Sequence, residues 1–316
     1  MENNNSGFIF DILTQILGEP KTHYATKGQA SWNCPVCDMG RNKSNFEVNY
    51  YKDVYQCWSC GESEGTHGSI YKLIKIWGNK QQLSNYLLLR PDVIKKKVIN
   101  EEDLKIFTGL PEGYTKFSED NPESIYYKQA HNYLIKERGI TDEIINKYDI
   151  GYTVKGKFHH RIIIPSYGPD GEVNYFSARS YVGAKRKYDN PEAPKEKIIF
   201  NEYFVDWDKD IFLVEGAFDH IVVPNSITML GKKMSDLLWE TLYDKATADI
   251  IIAYDPDAMD SIKKLYKQLD GGKLKGHVKA LFYKSEYDLC DLHKRLSPDD
   301  FQKLLQSARQ IKESKL

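Results

Sequence analysis

From residue 211 onward, short apolar runs alternate with stretches whose apolar positions recur at helical spacing. Strands are predicted at 211–214, 226–230, 249–254 and 278–283, and helices at 217–223, 234–247 and 259–269. Alternation of this kind predicts a parallel α/β sheet. Upstream the pattern changes: residues 105–207 read as mixed α and β. A helix runs from Ser124 to Arg138, and strands at Arg161–Ile164 and Val173–Ala178 are joined by the turn Gly168-Pro169-Asp170-Gly171. Nearer the N-terminus, Ile70, Leu73, Ile74 and Trp77 recur at helical spacing behind a segment, 34–60, flanked by Gly, Asn and Ser. A last helix is predicted over Pro298–Lys312.

A chain of 316 residues should hold about two or three domains. The boundary signal is the stretch after Arg90-Pro91, where Lys95, Lys96 and Lys97 are followed by Glu101, Glu102 and Asp103, a charge run that suits an exposed connector. The division that follows is residues 1–90, a linker at 91–104, a mixed subdomain at 105–207, and the alternating α/β segment with its last helix at 208–316. With 41% hydrophobic and 28% charged residues the chain can pack a core, which excludes disordered and collagen-like classes. Met1–Gly7 lacks a basic and apolar leader, and runs such as Ile250–Ala253 are too short to span a bilayer. The expectation is a soluble, unsecreted protein with no membrane partner. No GxxxxGK[ST] motif occurs, which argues against an ATP-driven motor.

Four of the five cysteines form two close pairs, Cys34-Pro35-Val36-Cys37 and Cys57-Trp58-Ser59-Cys60, separated by 19 residues. Two such knuckles at this spacing suit a structural zinc site made of four thiolates, whereas a redox pair needs only one CxxC beside a βαβ unit. Arg41, Lys43 and Lys52 could meet phosphates while Phe46, Tyr50, Tyr51 and Tyr55 stack on bases; alternatively these aromatics fill the core of a small module. Cys290, solitary, reads as inert.

Net charge is −1, from 44 Lys and Arg against 45 Asp and Glu, so only its distribution informs. Residues 201–260 carry 13 acidic and 4 basic side chains. Two predicted strands there run into carboxylates, Glu215-Gly216 with Asp219 beyond, and Asp255-Pro256-Asp257. Parallel strands place both sets at the carboxyl edge of the sheet, where open α/β sheets put their sites. Clustered oxygen ligands favour Mg²⁺ or Mn²⁺, with Asp288 and Asp291 as further candidates after the last strand. Asp219 and Asp260 also suit ordinary helix starts. Between Lys155 and Lys197, nine Lys or Arg face five acidic residues. A basic wall beside metal-binding carboxylates suits a polyanion held for chemistry on phosphate, while Lys185-Arg186-Lys187 alone would also suit a solvated loop.

The segments CPVC and CWSCG with an apolar helix behind them, then RIIIPSYGPDGEVNYFSAR, KYDNPE, FLVEGAFD and AYDPDAMDS in that order, closely resemble the bacterial-type DNA primases, including short phage members, over most of residues 30–292. The resemblance implies a multi-domain α+β and α/β protein. Its parts are an N-terminal zinc ribbon, a mixed α/β subdomain of an RNA-polymerase domain, a Toprim parallel α/β sheet and a C-terminal helix. It implies Cys34, Cys37, Cys57 and Cys60 as zinc ligands; Cys37 stands where many members have His, an exchange zinc accepts. It implies Glu215, Asp255 and Asp257 as catalytic and magnesium-holding, with Asp288 as a further magnesium ligand. Arg161, Arg179, Lys187, Tyr188, Asn190 and Lys197 would contact template or nucleotide. The family's small acidic motif after the last strand reads Asp288-Leu289-Cys290-Asp291 here, which leaves Asp288 and Asp291 as alternatives.

The implied function is synthesis of short RNA primers on single-stranded DNA by metal-assisted nucleotidyl transfer. Ribonucleoside triphosphates are the substrates, and a replicative helicase on a separate chain is a partner. The chain stops soon after the predicted helix at 298, so the helicase is expected to dock elsewhere or on that short tail. The implied location is the cytoplasm of a bacterium or a phage-infected host. Two other classes combine these parts: a non-catalytic zinc and Toprim recombination mediator that binds DNA, and a Toprim nuclease or topoisomerase. The intact Glu215, Asp255 and Asp257 favour the polymerising enzyme.

Overall fold

The computed structural model describes residues 4–36, 44–60, 66–90, 109–230, 234–270 and 272–311. The predicted linker at 91–104, together with Cys37, Arg41 and Lys43, lies outside the described residues. The chain divides into two compact units, residues 1–100 with 263–276, and residues 101–262 with 277–316.

In the first unit, β1 (Thr22–Tyr24), β2 (Gln29–Trp32), β3 (Phe46–Asn49), β4 (Val54–Cys57) and β5 (His67–Gly68) form one antiparallel sheet in sequence order. Alternation sets its faces: Phe46 and Val48 are buried while Glu47 and Asn49, which alternate with them, are only half-buried. Helix Asn4–Leu17, which the polar start of the chain conceals, adds Ile9, Ile12 and Leu13 to the same core as Phe46, Tyr50 and Tyr55. These three aromatics are therefore packing residues, and Tyr51 is the exposed one of the set at 45%. The helix Ile70–Trp77 matches the predicted periodicity and is capped by Ser69, whose side chain accepts from the Lys72 N–H. The next helix, Lys80–Leu89, starts on a reciprocal capping pair, Asn79 with Gln82.

The second unit holds two sheets. β6 (Tyr114–Lys116), β7 (Gly151–Thr153), β8 (Arg161–Tyr167) and β9 (Val173–Ser180) are antiparallel in that order. β8 runs three residues beyond its prediction. Pro165, which ends its apolar run, lies past Ile163, the last residue that β7 pairs, so its missing N–H breaks no ladder on that side. The other sheet is parallel, ordered β11 (Ser226–Thr228), β10 (Ile211–Val214), β12 (Ile250–Ala253), β13 (Val278–Ala280). β10 and β12 are buried at every position, as parallel strands covered on both faces must be. Helices Ala217–Val222 and Asp236–Lys245 make the crossovers from β10 to β11 and from β11 to β12. One core joins both segments, from Phe117, Leu134, Tyr152 and Ile162 through Val214, Phe218 and Ala253 to Leu289 and Phe301.

Two of the predicted helices depart most from the sequence expectation. The helix foreseen over Ser124–Arg138 is α-helical at Ile125–Asn132 and widens into a π-helical turn at Tyr133–Glu137; hydrophobic periodicity does not distinguish the two. The last helix ends at Gln306, because the chain then turns back so that Arg309 exchanges two backbone hydrogen bonds with Ala280 of β13, at 2.9 and 3.0 Å.

Candidate active site and metal centre

β10 and β12 are neighbours in parallel register, Val214 opposite Ala253, so the residues that follow each strand emerge at the same edge. The Asp255 N–H donates to Glu215 Oε1 at 3.1 Å, joining the two predicted acidic stretches directly. The Tyr283 hydroxyl, beyond β13, donates to Asp255 Oδ1 at 3.3 Å. Asp257 stands exposed in the short turn Pro256–Ala258. Asp219 is buried within the first turn of helix Ala217–Val222. Its Oδ2 accepts from the Gly216 N–H at 3.2 Å and its Oδ1 from the Cys290 N–H at 3.1 Å. A Cβ on Gly216 would lie 3.1 Å from that Oδ2, so the glycine permits the close turn. Asp219 thus acts as an internal clamp between this helix and the 288–291 segment, while Asp260 is an exposed residue of the first turn of helix Met259–Leu269.

The edge concentrates negative charge. Partial burial, then the charge of Asp255, raises the Glu215 carboxyl above its ordinary range. Asp255 is raised by burial and then by Asp288, with Asp257 and Asp291 contributing less. Asp219 is pushed up to about 7, by burial first and Asp288 second. Among the two acidic alternatives beyond β13, Asp288 therefore acts more strongly on Asp255 than Asp291 does. Asp288 is also the N-cap of helix Leu289–Arg295, its Oδ1 accepting from the Asp291 N–H at 2.7 Å. Hard oxygen donors with unrelieved mutual repulsion suit a divalent cation chemically. Among the described residues, however, the carboxylates do not bring three ligand atoms within 4.8 Å of one another.

Beside this edge lies a pair of arginines. Arg138 Nη1 stands 3.6 Å from Asp291 Oδ1 and 4.0 Å from Asp288 Oδ2. Arg138 and Arg179 flank the Phe218 ring, with guanidinium carbons 5.2 and 5.7 Å from its centroid, and Arg179 also lies 4.8 Å over Tyr188. Arg179 and Tyr188 are thus brought together. Arg138 is absent from the sequence-derived set; it follows the π-helical turn and precedes Gly139, whose φ is +68°, so in sequence it reads as a helix end.

The other basic-segment residues have different settings. Arg161 is 8% exposed and donates to the Lys187, Arg186 and Ala178 carbonyls at 3.1, 3.2 and 3.5 Å, so it fastens the loop after β9. Asn190 Oδ1 accepts from the Ala178 N–H at 3.0 Å, fixing the far end of that loop. The side chain of Lys187 is exposed on the loop, and Lys197 sits in the short turn Lys195–Lys197. Cys290 is buried, and burial drives its thiol far above the ordinary range, in accord with an inert residue.

In the first unit, Cys34, Cys57 and Cys60 place their sulfur atoms within 4.8 Å of one another, Cys34 and Cys60 at 3.9 Å. Each knuckle turns one backbone N–H toward sulfur, Val36 to Cys34 and Cys60 to Cys57, both at 3.4 Å. Asn45 braces the arrangement, accepting from the Cys34 N–H through Oδ1 and from the Trp58 N–H through its carbonyl. β4 ends on Cys57, which is why the second knuckle arrives beside the first. Three converging soft donors fit structural zinc.

No protein-family model matches the chain. Among curated proteins, the DNA primase of Enterobacteria phage T4 is 24% identical over 292 residues, covering 86% of this chain and 77% of the relative. The DNA primase of Aquifex aeolicus is 22% identical, covering 97% of this chain and 68% of the relative. Among solved structures, the DnaG primase catalytic domain bound to ssDNA aligns with a TM-score of 0.51 at 18% identity, over 60% of this chain and 74% of that one. The E. coli primase catalytic core gives the same score at 17% identity, over 61% and 77%. Sequence relatives along most of the chain, joined to a shared catalytic-core fold, support a bacterial-type DNA primase.

Proposed function

We propose that the chain synthesises short RNA primers on single-stranded DNA during replication, with Glu215, Asp255 and Asp257 as the catalytic carboxylates. The observation that carries this reading is the meeting of Glu215 and Asp255 at the carboxyl edge of a parallel sheet, linked by the 3.1 Å hydrogen bond, in a chain related to DNA primases. Held so, the carboxylates of Glu215, Asp255, Asp257 and Asp288 would hold magnesium or manganese. The bound ions would stabilise charge on the attacking and leaving oxygens of an in-line displacement.

The chain's own residues supply the rest. The hydrogen bond from the Asp255 N–H fixes the Glu215 side chain, and the Tyr283 hydroxyl orients Asp255. Arg179, stacked on Tyr188, offers its guanidinium to phosphate oxygens, and the loop fastened by Arg161 presents Lys187. Asn190 sets that loop, and Lys197 would add a further phosphate contact. A single-stranded DNA template is the polyanion this wall suits, and one of the related catalytic domains was solved with single-stranded DNA. Ribonucleoside triphosphates are the substrates of the reaction proposed, and a replicative helicase on a separate chain is the proposed partner. We assign the first unit, with Cys34, Cys37, Cys57 and Cys60 on zinc, to template selection, and residues 105–207 and 208–316 to the basic and Toprim halves of the polymerase. The cytoplasm of a bacterium or infected host is where such a template is met.

Incubation with single-stranded DNA, labelled ribonucleotides and Mg²⁺ tests the reading. Short labelled RNA should form, and Asp257→Ala should abolish it. Cleaved DNA would indicate a nuclease, and binding without product a mediator. An Asp257→Ala protein that primes at the normal rate would remove the carboxylate assignment.

A further inference from the structure

At the amino edge of the parallel sheet, opposite the edge that carries the carboxylates, a half-open groove of about 600 Å³ lies between one sheet face and helix Pro298–Gln306. Its floor follows from strand register. Phe212 of β10 stands opposite Ile251 of β12, and Ile251 opposite Lys279 of β13, so the three side chains share one face. The helix contributes Gln302, Leu305 and Gln306, whose spacing puts them on one side of it. Phe212, Ile251 and Leu305 are buried, while Gln302 and Gln306 are exposed. The volume falls within the roughly 300–1,000 Å³ of clefts that take ligands, and the reaction proposed above makes no use of it.

Charge decides which class of partner the groove suits. Asp208, Lys209, Asp210 and Lys279 line it. Both lysines are engaged by carboxylates outside the lining, Lys209 by Asp206 at 2.8 Å and Lys279 by Asp249 at 2.5 Å. The two lining aspartates are positioned but not neutralised. Asp208 Oδ1 accepts from Thr247 Oγ1 at 2.9 Å, and Asp210 Oδ1 accepts from the Asp249 N–H at 3.1 Å. Among the described residues neither has a Lys, Arg or His nitrogen within 4.0 Å. The uncompensated charge is therefore negative, on an exposed rim beside an apolar floor. Such a surface repels nucleic acids and nucleotides and attracts a cation carried next to an apolar side chain.

We propose that this groove docks a partner protein through a segment in which an aliphatic or aromatic side chain stands next to Lys or Arg. The apolar group seats on Phe212, Ile251 and Leu305, and the cation meets Asp208 and Asp210. The proposal goes beyond the priming reaction and does not depend on it. β10 and β12 each put four residues, about 13 Å of strand, between this edge and the carboxylates at the other, so an occupant leaves the candidate active site open.

The test uses the full chain and Gln302→Trp, in which an exposed helix residue is enlarged to fill the groove. Short random peptides displayed on phage are selected for binding to the unaltered chain and against binding to Gln302→Trp. The survivors should pair Lys or Arg with an adjacent aliphatic or aromatic residue. One survivor, synthesised with a fluorescent label, is then titrated by anisotropy. Asp208→Asn combined with Asp210→Asn keeps both Oδ1 acceptors and removes both charges. It should weaken the peptide about fivefold and flatten its salt dependence, the scale expected of exposed ion pairs. Circular dichroism melting checks that the variants fold; should Gln302→Trp not fold, counter-selection on the aspartate double variant takes its place. Failure to find a peptide that tells the two proteins apart, survivors rich in Asp or Glu, or unchanged affinity in the double variant would each overturn the proposal. Displacement of the peptide by single-stranded DNA would make the groove a nucleic-acid site, and self-association that Gln302→Trp abolishes would make the occupant a second copy of this chain. Either result would overturn it as well.

Discussion

His220 offers a pH experiment whose size follows from the structure. It is 1% exposed, with the rings of Tyr148 and Phe200 each 5.4 Å from its own. Asn201 accepts the Tyr167 N–H through Oδ1, which leaves its amide nitrogen facing His220 Nε2 at 3.0 Å. Nε2 is therefore the acceptor and Nδ1 carries the proton toward Ser226 Oγ, 3.1 Å away. A second proton would set N–H against N–H. Burial, with the charge of Lys147 adding to it, lowers the imidazole from 6.5 to about 3. Because the folded value lies below the unfolded one, the unfolded chain binds the extra proton first. This contribution to stability is fully present above pH 6.5 and is lost as pH falls toward 3. Each pH unit inside the window costs about 1.4 kcal/mol, so about 2 kcal/mol is gone at pH 5.

The comparison is with His220→Gln, whose amide can accept and donate without titrating. Denaturant unfolding followed by circular dichroism at pH 8 and pH 5 gives the difference, since the carboxylates that also titrate are common to both proteins. The unaltered chain should lose about 2 kcal/mol more than His220→Gln over that interval. Parallel losses in the two proteins, or an imidazole seen by NMR to titrate near 6.5, would refute the assignment of a neutral, locked ring.

Other outcomes follow from the same geometry. Metal analysis should find one zinc per chain; Cys34→Ser or a chelator should release it and destabilise the first unit, since three further donors alone hold the ion less well. Asp255→Asn should lower priming by about a hundredfold or more with little effect on melting temperature, the charge being lost while the Glu215 contact, made by the backbone, survives. Asn201→Ala should cost about 2 to 4 kcal/mol in denaturant unfolding. That change puts alanine at a φ of +57° and orphans the Tyr167 N–H as well as His220.

The parts of this molecule that the sequence made visible share a property: their signal is local. The runs at Ile211–Val214 and Ile250–Ala253 are apolar throughout because both sheet faces are covered, and the carboxylates after them inherit their place from strand direction. The knuckle spacing similarly anticipates the approach of Cys34 to Cys57 and Cys60. Helix Asn4–Leu17 was hidden because its first residues are polar and its buried set, Ile9, Ile12 and Leu13, is small. Arg161, given by the resemblance as a template or nucleotide contact, donates to three backbone carbonyls, a setting that no sequence pattern conveys. Arg138 depended on a π-helical turn, a change in helical phase that residue periodicity does not encode.

The backbone exchange between Arg309 and Ala280 has a bearing on how the molecule can be handled. β13 is the last strand of the parallel sheet, and Arg309 occupies its outward-facing hydrogen-bonding groups at Ala280. A truncation ending near residue 306 would preserve every helix and strand of the sheet yet uncover a bare margin, the surface on which strands from separate molecules zip together. Such a shortened protein should remain folded when dilute and self-associate as its concentration rises.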